Sequence, residues 1–283
     1  MLGCLAGCRY GFDPVGTETG DDARIEGDAF DAVDATPLGA FGAPTRVAEL
    51  STSTFDYAPF LMPDQLTIYF VSDRTAGTNG DLWWASRTMT SDPFGIPQRI
   101  AELSTGAAET APVLSADGLQ IYFSSNRPGG SGAVDIWGST RPNLASTWSV
   151  PVPITELNSA ENDYSSSLSP AGDRMYLTYH RSGVVELWST KRAGVGTAWD
   201  PPQRDVLNPA QSASATNPET VVFSRNGDLF MAVRVGTGWG PAMQLTQLNS
   251  PGLDGNAWLS PDLRTMYFDS NRNSKYELFV ARR

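Results

Sequence analysis

Four acids in this 283-residue chain, Asp56, Glu109, Asp163 and Asp254, each stand at or just before a short run of β-type residues. If those runs are the inner strands of a ring, the four carboxylates gather at one opening, with Tyr57, Asn162, Tyr164 and Trp258 beside them. Carboxylates held together raise one another's pKa or attract a cation, an amine or a basic partner segment. Two of them about 5–10 Å apart in a sugar-sized cleft could act as the acid and base of glycoside cleavage. Oxygen ligands would also suit calcium, the one cofactor this pattern admits. The plainer alternative is a solvated acidic rim. These eight residues form the candidate binding site, and none is assigned a catalytic role.

Other chemistries find little support. His180 is the only histidine and sits in the register of Asn126 and Asn271, so it cannot build a histidine-rich zinc site. Both cysteines, Cys4 and Cys8, fall in the first eight residues, so no disulfide is expected in the core. There is no H-E-x-x-H and no G-x-S-x-G, and the glycine run Gly129-Gly130-Ser131-Gly132 reads as a hairpin loop. No Lys/Arg run points to nucleic acid, and no apolar run approaches the 18 residues of a membrane-spanning helix.

The elements that must position the acids repeat along the chain. Asp64, Asp117 and Asp262 hold one turn position, where an aspartate bonds its own backbone. Tyr69-Phe70, Tyr122-Phe123, Tyr176-Leu177, Val222-Phe223 and Tyr267-Phe268 hold one strand position, and Arg74, Arg127, Arg181, Arg225 and Arg272 follow it. Asp81-Leu82-Trp83, Asp135-Ile136-Trp137, Glu186-Leu187-Trp188, Asp228-Leu229-Phe230 and Glu277-Leu278-Phe279 open the next strand. Ion pairs across this hairpin are expected between Arg74 and Asp81, Arg127 and Asp135, and Arg181 and Glu186. A fourth element begins at Phe41, Phe94, Trp148, Trp199 and Trp239, spaced 53, 54, 51 and 40 residues apart. A β-rich unit of about 40–50 residues in tandem is the mark of a propeller.

The copies are out of phase with the chain. A fourth element at residues 41–48 precedes any first element, and the chain stops after a third. The reading is therefore an all-β, five-bladed β-propeller, residues 41–283, closed by residues 41–48 as the outer strand of the last blade. The fourth blade is worn: it lacks the Asp-Gly turn, and Arg225-Asn226-Gly227-Asp228 makes a tight hairpin.

The strings SADGLQIYFSSNR with DIW, SPAGDRMYLTYHR with ELW and SPDLRTMYFDSNR with ELF resemble the WD-like repeat of the TolB propeller family over about residues 55–283. The resemblance implies a binding platform in a Gram-negative envelope. Residues 9–40 are too short and polar for the extra N-terminal domain of TolB itself; their eight acids and two arginines carry −6 of the net charge of −11 and read as a disordered tether. Leu5-Ala6-Gly7-Cys8 resembles a bacterial lipobox, which makes residues 1–8 a truncated lipoprotein signal and Cys8 the lipidated residue. Only seven residues precede Cys8, so this reading puts the true start upstream. The function expected is a monomeric, lipid-anchored module binding an envelope protein, peptide or cell-wall glycan at its channel mouth, on the periplasmic or outer-membrane side. A glycoside hydrolase using mouth carboxylates is the alternative.

Overall fold

Three short strands that are apolar on both faces cannot be buried by one sheet alone; they need a neighbour on each side. The computed structural model, which describes residues 38–75 and 79–283, satisfies them with a ring of five antiparallel blades. From the channel outward, blade 1 is Asp56–Leu61, Thr67–Ser72, Asp81–Ser86 and Gln98–Arg99. Blade 2 is Glu109–Leu114, Gln120–Ser125, Asp135–Thr140 and Val152–Pro153. Blade 3 is Asn162–Leu168, Arg174–Arg181, Val184–Lys191 and Gln203–Arg204. Blade 4 is Gln211–Asn217, Thr220–Arg225 and Asp228–Val235, edged by Gly238–Trp239 and Met243–Gln244. Blade 5 is Asp254–Leu259, Thr265–Ser270, Glu277–Arg282 and, from the other end of the chain, Thr45–Arg46.

The closing strand lies where the repeat phase puts it. Thr45 pairs with Val280 and Arg46 with Phe279, and the Gly42 and Val47 amides donate to the carbonyls of Arg282 and Leu278. Inner strands of successive blades touch all the way round, the fifth against the first. The second-strand pairs Tyr69-Phe70, Tyr122-Phe123, Tyr176-Leu177, Val222-Phe223 and Tyr267-Phe268 are buried throughout and form the layers between blades. The turn aspartates behave as read: Asp117 Oδ1 accepts from the Leu119 amide at 3.0 Å, and Gly118 takes a φ of 68°.

Two regularities explain why aromatic and arginine spacing recurs. Each fourth-element aromatic carries an arginine from the end of a third strand: Arg87 on Phe94, Arg141 on Trp148, Arg192 on Trp199, Arg234 on Trp239 and Arg283 on Phe41, all at 4.3–4.4 Å from guanidinium carbon to ring centre. Adjacent blades are also stitched through backbone, because the amides of Asp56, Glu109, Asp163 and Asp254 donate to the carbonyls of Tyr276, Gly80, Val134 and Gly227 in the preceding blade. The lipobox-like Cys8 and the acidic segment up to residue 37 lie outside the described residues.

Candidate functional site at the channel mouth

The four first-strand acids are latches. Asp56, Glu109 and Asp163 are 0% exposed and Asp254 is 1% exposed. Each faces an arginine: Arg74 at 2.9 Å, Arg127 at 3.0 Å, Arg181 at 3.4 Å and Arg272 at 2.7 Å respectively. Each also accepts from the backbone amide and hydroxyl of a residue four places earlier, Thr52, Thr105, Ser159 or Ser250. This corrects two expectations. The carboxylates are not free acids around an opening, and Arg74, Arg127 and Arg181 reach back to the first strand instead of across the hairpin. The reason is geometric: in blades 1, 2 and 5 the acid lies opposite Ser72, Ser125 or Ser270, and a guanidinium fork there spans both the carboxylate and the carbonyl of Leu50, Leu103 or Leu248. The third-strand acids take other partners, Asp81 with Arg99, Glu186 with Arg204 and Glu277 with Arg46, while Asp135 accepts from the Gly132 amide. Calcium needs six to eight oxygens, and carboxylates already held by arginines and amides are poorly placed to supply them. Among the described residues no group of three or more His, Cys, Asp or Glu could hold a metal ion.

Blade 4 breaks the pattern and makes room. Gln211 lies opposite Ser224, the register of Tyr57 with Val71, Thr110 with Ser124, Tyr164 with Thr178 and Gly255 with Asp269. Ala210 therefore stands where the other blades carry an acid, and Arg225 satisfies itself on the carbonyls of Leu207 and Pro209. The loop from Leu207 to Ala210 is three residues shorter than the Leu50–Asp56 loop and its counterparts, and beside it and the tight Asn226-Gly227 hairpin lies a cleft of about 460 Å³ between blades 4, 5 and 1. Ser212 and Asn256 line both this cleft and the channel, whose own cavity of about 30 Å³ holds no more than a water or two. By contrast, the grooves beside Tyr69, Arg141 and Trp148 and beside Tyr122, Arg192 and Trp199 are copies of each other produced by the repeat.

Two carboxylates in the cleft depart from the repeat. At the second-strand position of Val71, Ser124, Thr178 and Ser224, blade 5 carries Asp269. Where this position makes an inter-blade contact, an uncharged acceptor suffices: Ser124 Oγ takes the Ser165 amide at 3.0 Å and Thr178 Oγ1 the Ser212 amide at 2.8 Å, each from the next blade. Asp269 Oδ2 does the same for the Ala58 amide, at 2.7 Å, and also takes Asn256 Nδ2 at 2.7 Å. Its Oδ1 has no partner, the residue is 1% exposed, and burial pushes its pKa up to about 6. The second departure is Asp73, at the position of Asn126 and Asn271, whose amide oxygens cap the Ala108 and Leu253 amides. Asp73 Oδ1 has no partner, and burial with the charges of Asp56 and Asp81 raises its pKa.

Aromatic rings wall the same space. Tyr57 and Tyr276 have ring centres 6.4 Å apart, and Phe55 stands edge-on to Tyr276 at 6.3 Å. Burial, then the charge of Asp73, pushes the Tyr57 phenol well up, and burial with the charge of Asp269 raises that of Tyr276, so both stay neutral hydroxyls. Of the residues read from sequence, Tyr57 and Asp254 line this cleft. Trp258 lines the channel, edge-on to Tyr267, and Asn162 and Tyr164 stay in blade 3, the latter against His180 at 5.1 Å. Burial lowers the pKa of His180. Sequence reasoning missed Asp73, Ser224, Gly255, Asp269 and Tyr276. The signal was present as residues that break the repeat's own pattern.

No protein-family model and no curated protein matches this sequence. Solved structures do resemble the fold. A TolB from Acinetobacter baumannii aligns with a TM-score of 0.53 at 16% identity, over 82% of this chain and 56% of that one, so this chain spans little more than half of that protein's length. A protein of unknown function from Dyadobacter fermentans DSM 18053 aligns with a TM-score of 0.55 at 11% identity, over 85% and 97%. A thermostable family-43 glycoside hydrolase aligns with a TM-score of 0.54 at 10% identity, over 84% and 91%. At such identities the likeness is one of fold, and it joins TolB-type and glycosidase propellers alike.

Proposed function

We propose that this protein is a binding module of the Gram-negative envelope whose ligand, from an envelope protein, peptide or cell-wall glycan, enters the cleft between blades 4, 5 and 1. The observation that carries this reading is the cleft itself. It is of ligand size, it lies where blade 4 departs from the repeat, and its lining residues hold buried polar atoms without partners that the repeat does not need. The lipobox-like segment and the acidic tether support tethering through Cys8, and the TolB-type propellers among the fold's neighbours are in keeping with that location. A test is to titrate the isotope-labelled protein with short peptides, disaccharides and small amines while following backbone amides. The reading expects shifts centred on Ser212, Gly255, Asn256 and Tyr276. Shifts confined to the outer grooves, or none with any probe, would overturn it.

Glycoside hydrolysis is a second reading, and one observation favours it: besides the arginine-paired Asp254, two carboxylates, Asp73 and Asp269, share the cleft, the latter with its pKa pushed into the range of a general acid. Release of nitrophenol from aryl glycosides at pH 5–6, abolished in D269N, would establish it. Absence of turnover across a panel of such glycosides would remove it.

A further inference from the structure

Accepting the cleft as the binding site, we infer that the group it takes is an organic cation, an alkylammonium or guanidinium, seated against Asp269 Oδ1 and Ser224 Oγ in a cleft that Asp73 also lines.

Among the described residues, three carboxylates line the cleft, Asp73, Asp254 and Asp269, and no lysine, arginine or histidine does. Asp254 is neutralised by Arg272. Asp269 has no counter-ion among the described residues, yet it is buried, a placement that is costly unless something of opposite charge shares it. The ring does not require that charge, because Ser124 and Thr178 hold the equivalent inter-blade contact with a hydroxyl.

Space is kept for a partner. Opposite Asp269 the other blades place Tyr57, Thr110, Tyr164 or Gln211, but blade 5 has Gly255. A Cβ there would lie 3.3 Å from Ser224 Oγ and 3.6 Å from Asp269 Oδ1. Both atoms are buried without a partner, so the glycine leaves a small polar niche between two unused acceptors. Tyr57, Tyr276 and Phe55 add aromatic surface, which favours a cation carried on an alkyl stem over a bare metal ion. The oxygen set is also too sparse for calcium.

The cation could arrive as a free diamine or on a lysine or arginine side chain, and calorimetric titration separates these. Probes for the full chain are putrescine, acetyl-Gly-Lys-Gly-amide and acetyl-Gly-Arg-Gly-amide. Neutral counterparts are 1,4-butanediol and acetyl-Gly-norleucine-Gly-amide, and calcium chloride is run alone. At least one cationic probe is expected to bind ten-fold or more tightly than its neutral counterpart, with that margin lost in D269N and reduced several-fold in S224A. Ser224 Oγ makes no hydrogen bond, so S224A tests the site without disturbing the ring. Putrescine alone identifies a small amine; the peptides identify a side chain. Equal binding of neutral probes in the cleft would overturn the cation assignment while leaving the binding module standing. So would binding of calcium alone. No binding by any probe also overturns the cation assignment, while the binding module then stands or falls on the amide-shift titration.

Discussion

Replacing Asp269 with asparagine is expected to make the protein more stable at neutral pH. The amide oxygen can still accept from the Ala58 amide and from Asn256 Nδ2, so the inter-blade contact survives while the charge goes. The folded-state pKa is raised from 3.8 to about 6, so between these values the folded state binds the proton that the unfolded state has released. Wild-type stability from this group is therefore intact below about pH 4 and is lost as the pH rises through 6. At 1.36 kcal/mol per pKa unit the loss amounts to about 3 kcal/mol once Asp269 is fully ionised. Urea unfolding of both proteins between pH 4.5 and 8 measures it. The stability difference in favour of D269N should be small at the acid end, grow through pH 5–6 and level off near 3 kcal/mol above pH 7. Taking the difference cancels Asp73, Asp163 and Asp205, which titrate in the same direction. A variant less stable than wild type at pH 7.5, or a difference that does not vary with pH, would refute the idea of an uncompensated buried charge.

Other consequences are as direct. R127A should cost about 3–5 kcal/mol in urea unfolding, because it strands Glu109, which is 0% exposed, without its counter-ion. W199A should cost about 3–5 kcal/mol, since Trp199 is 6% exposed, lies edge-on to Tyr122 of the neighbouring blade and seats Arg192. Removing residues through 48 takes away the strand paired with Glu277–Arg282 and the aromatic under Arg283; the circular dichroism melt should lose its single cooperative transition. Binding of a cationic probe should weaken as the pH falls below about 6 and Asp269 protonates, with Asp73, Asp254, Tyr57 and Tyr276 as the other titratable groups facing the site. Calorimetry at pH 5 and 7.5 checks this, and equal affinity at both would exclude Asp269 as the anchor.

The ring was legible because its determinants are local and repeated. Tyr-Phe pairs buried on both faces, Asp-Gly turns and a phase offset of one strand are all visible in a linear chain, and each has one geometric consequence. The ion pairs were not legible. Arg127 is eight residues from Asp135 and eighteen from Glu109, and only the pairing of Ser125 with Glu109 shows which acid the guanidinium can reach. Sequence proximity favoured the wrong one. The cleft was half legible. The worn fourth blade was plain, but its meaning depends on what the missing loop uncovers in blades 5 and 1. Asp269 becomes conspicuous only when strand register sets it beside Val71, Ser124, Thr178 and Ser224. Repeats hide function in this way: attention goes to the positions that agree, while a site is built from those that do not.

The meeting of Arg46 with Glu277 joins residues 231 apart in the chain. During synthesis the segment around Thr45 must therefore wait, unpaired, until all five third strands have emerged, and each completed wedge meanwhile offers a bare face to whatever is near. Closing so distant a contact is slow. The interval before closure is when this protein is most exposed to pairing with another copy of itself, and a helper that shields the waiting segment would raise the yield of folded chains without touching the finished molecule.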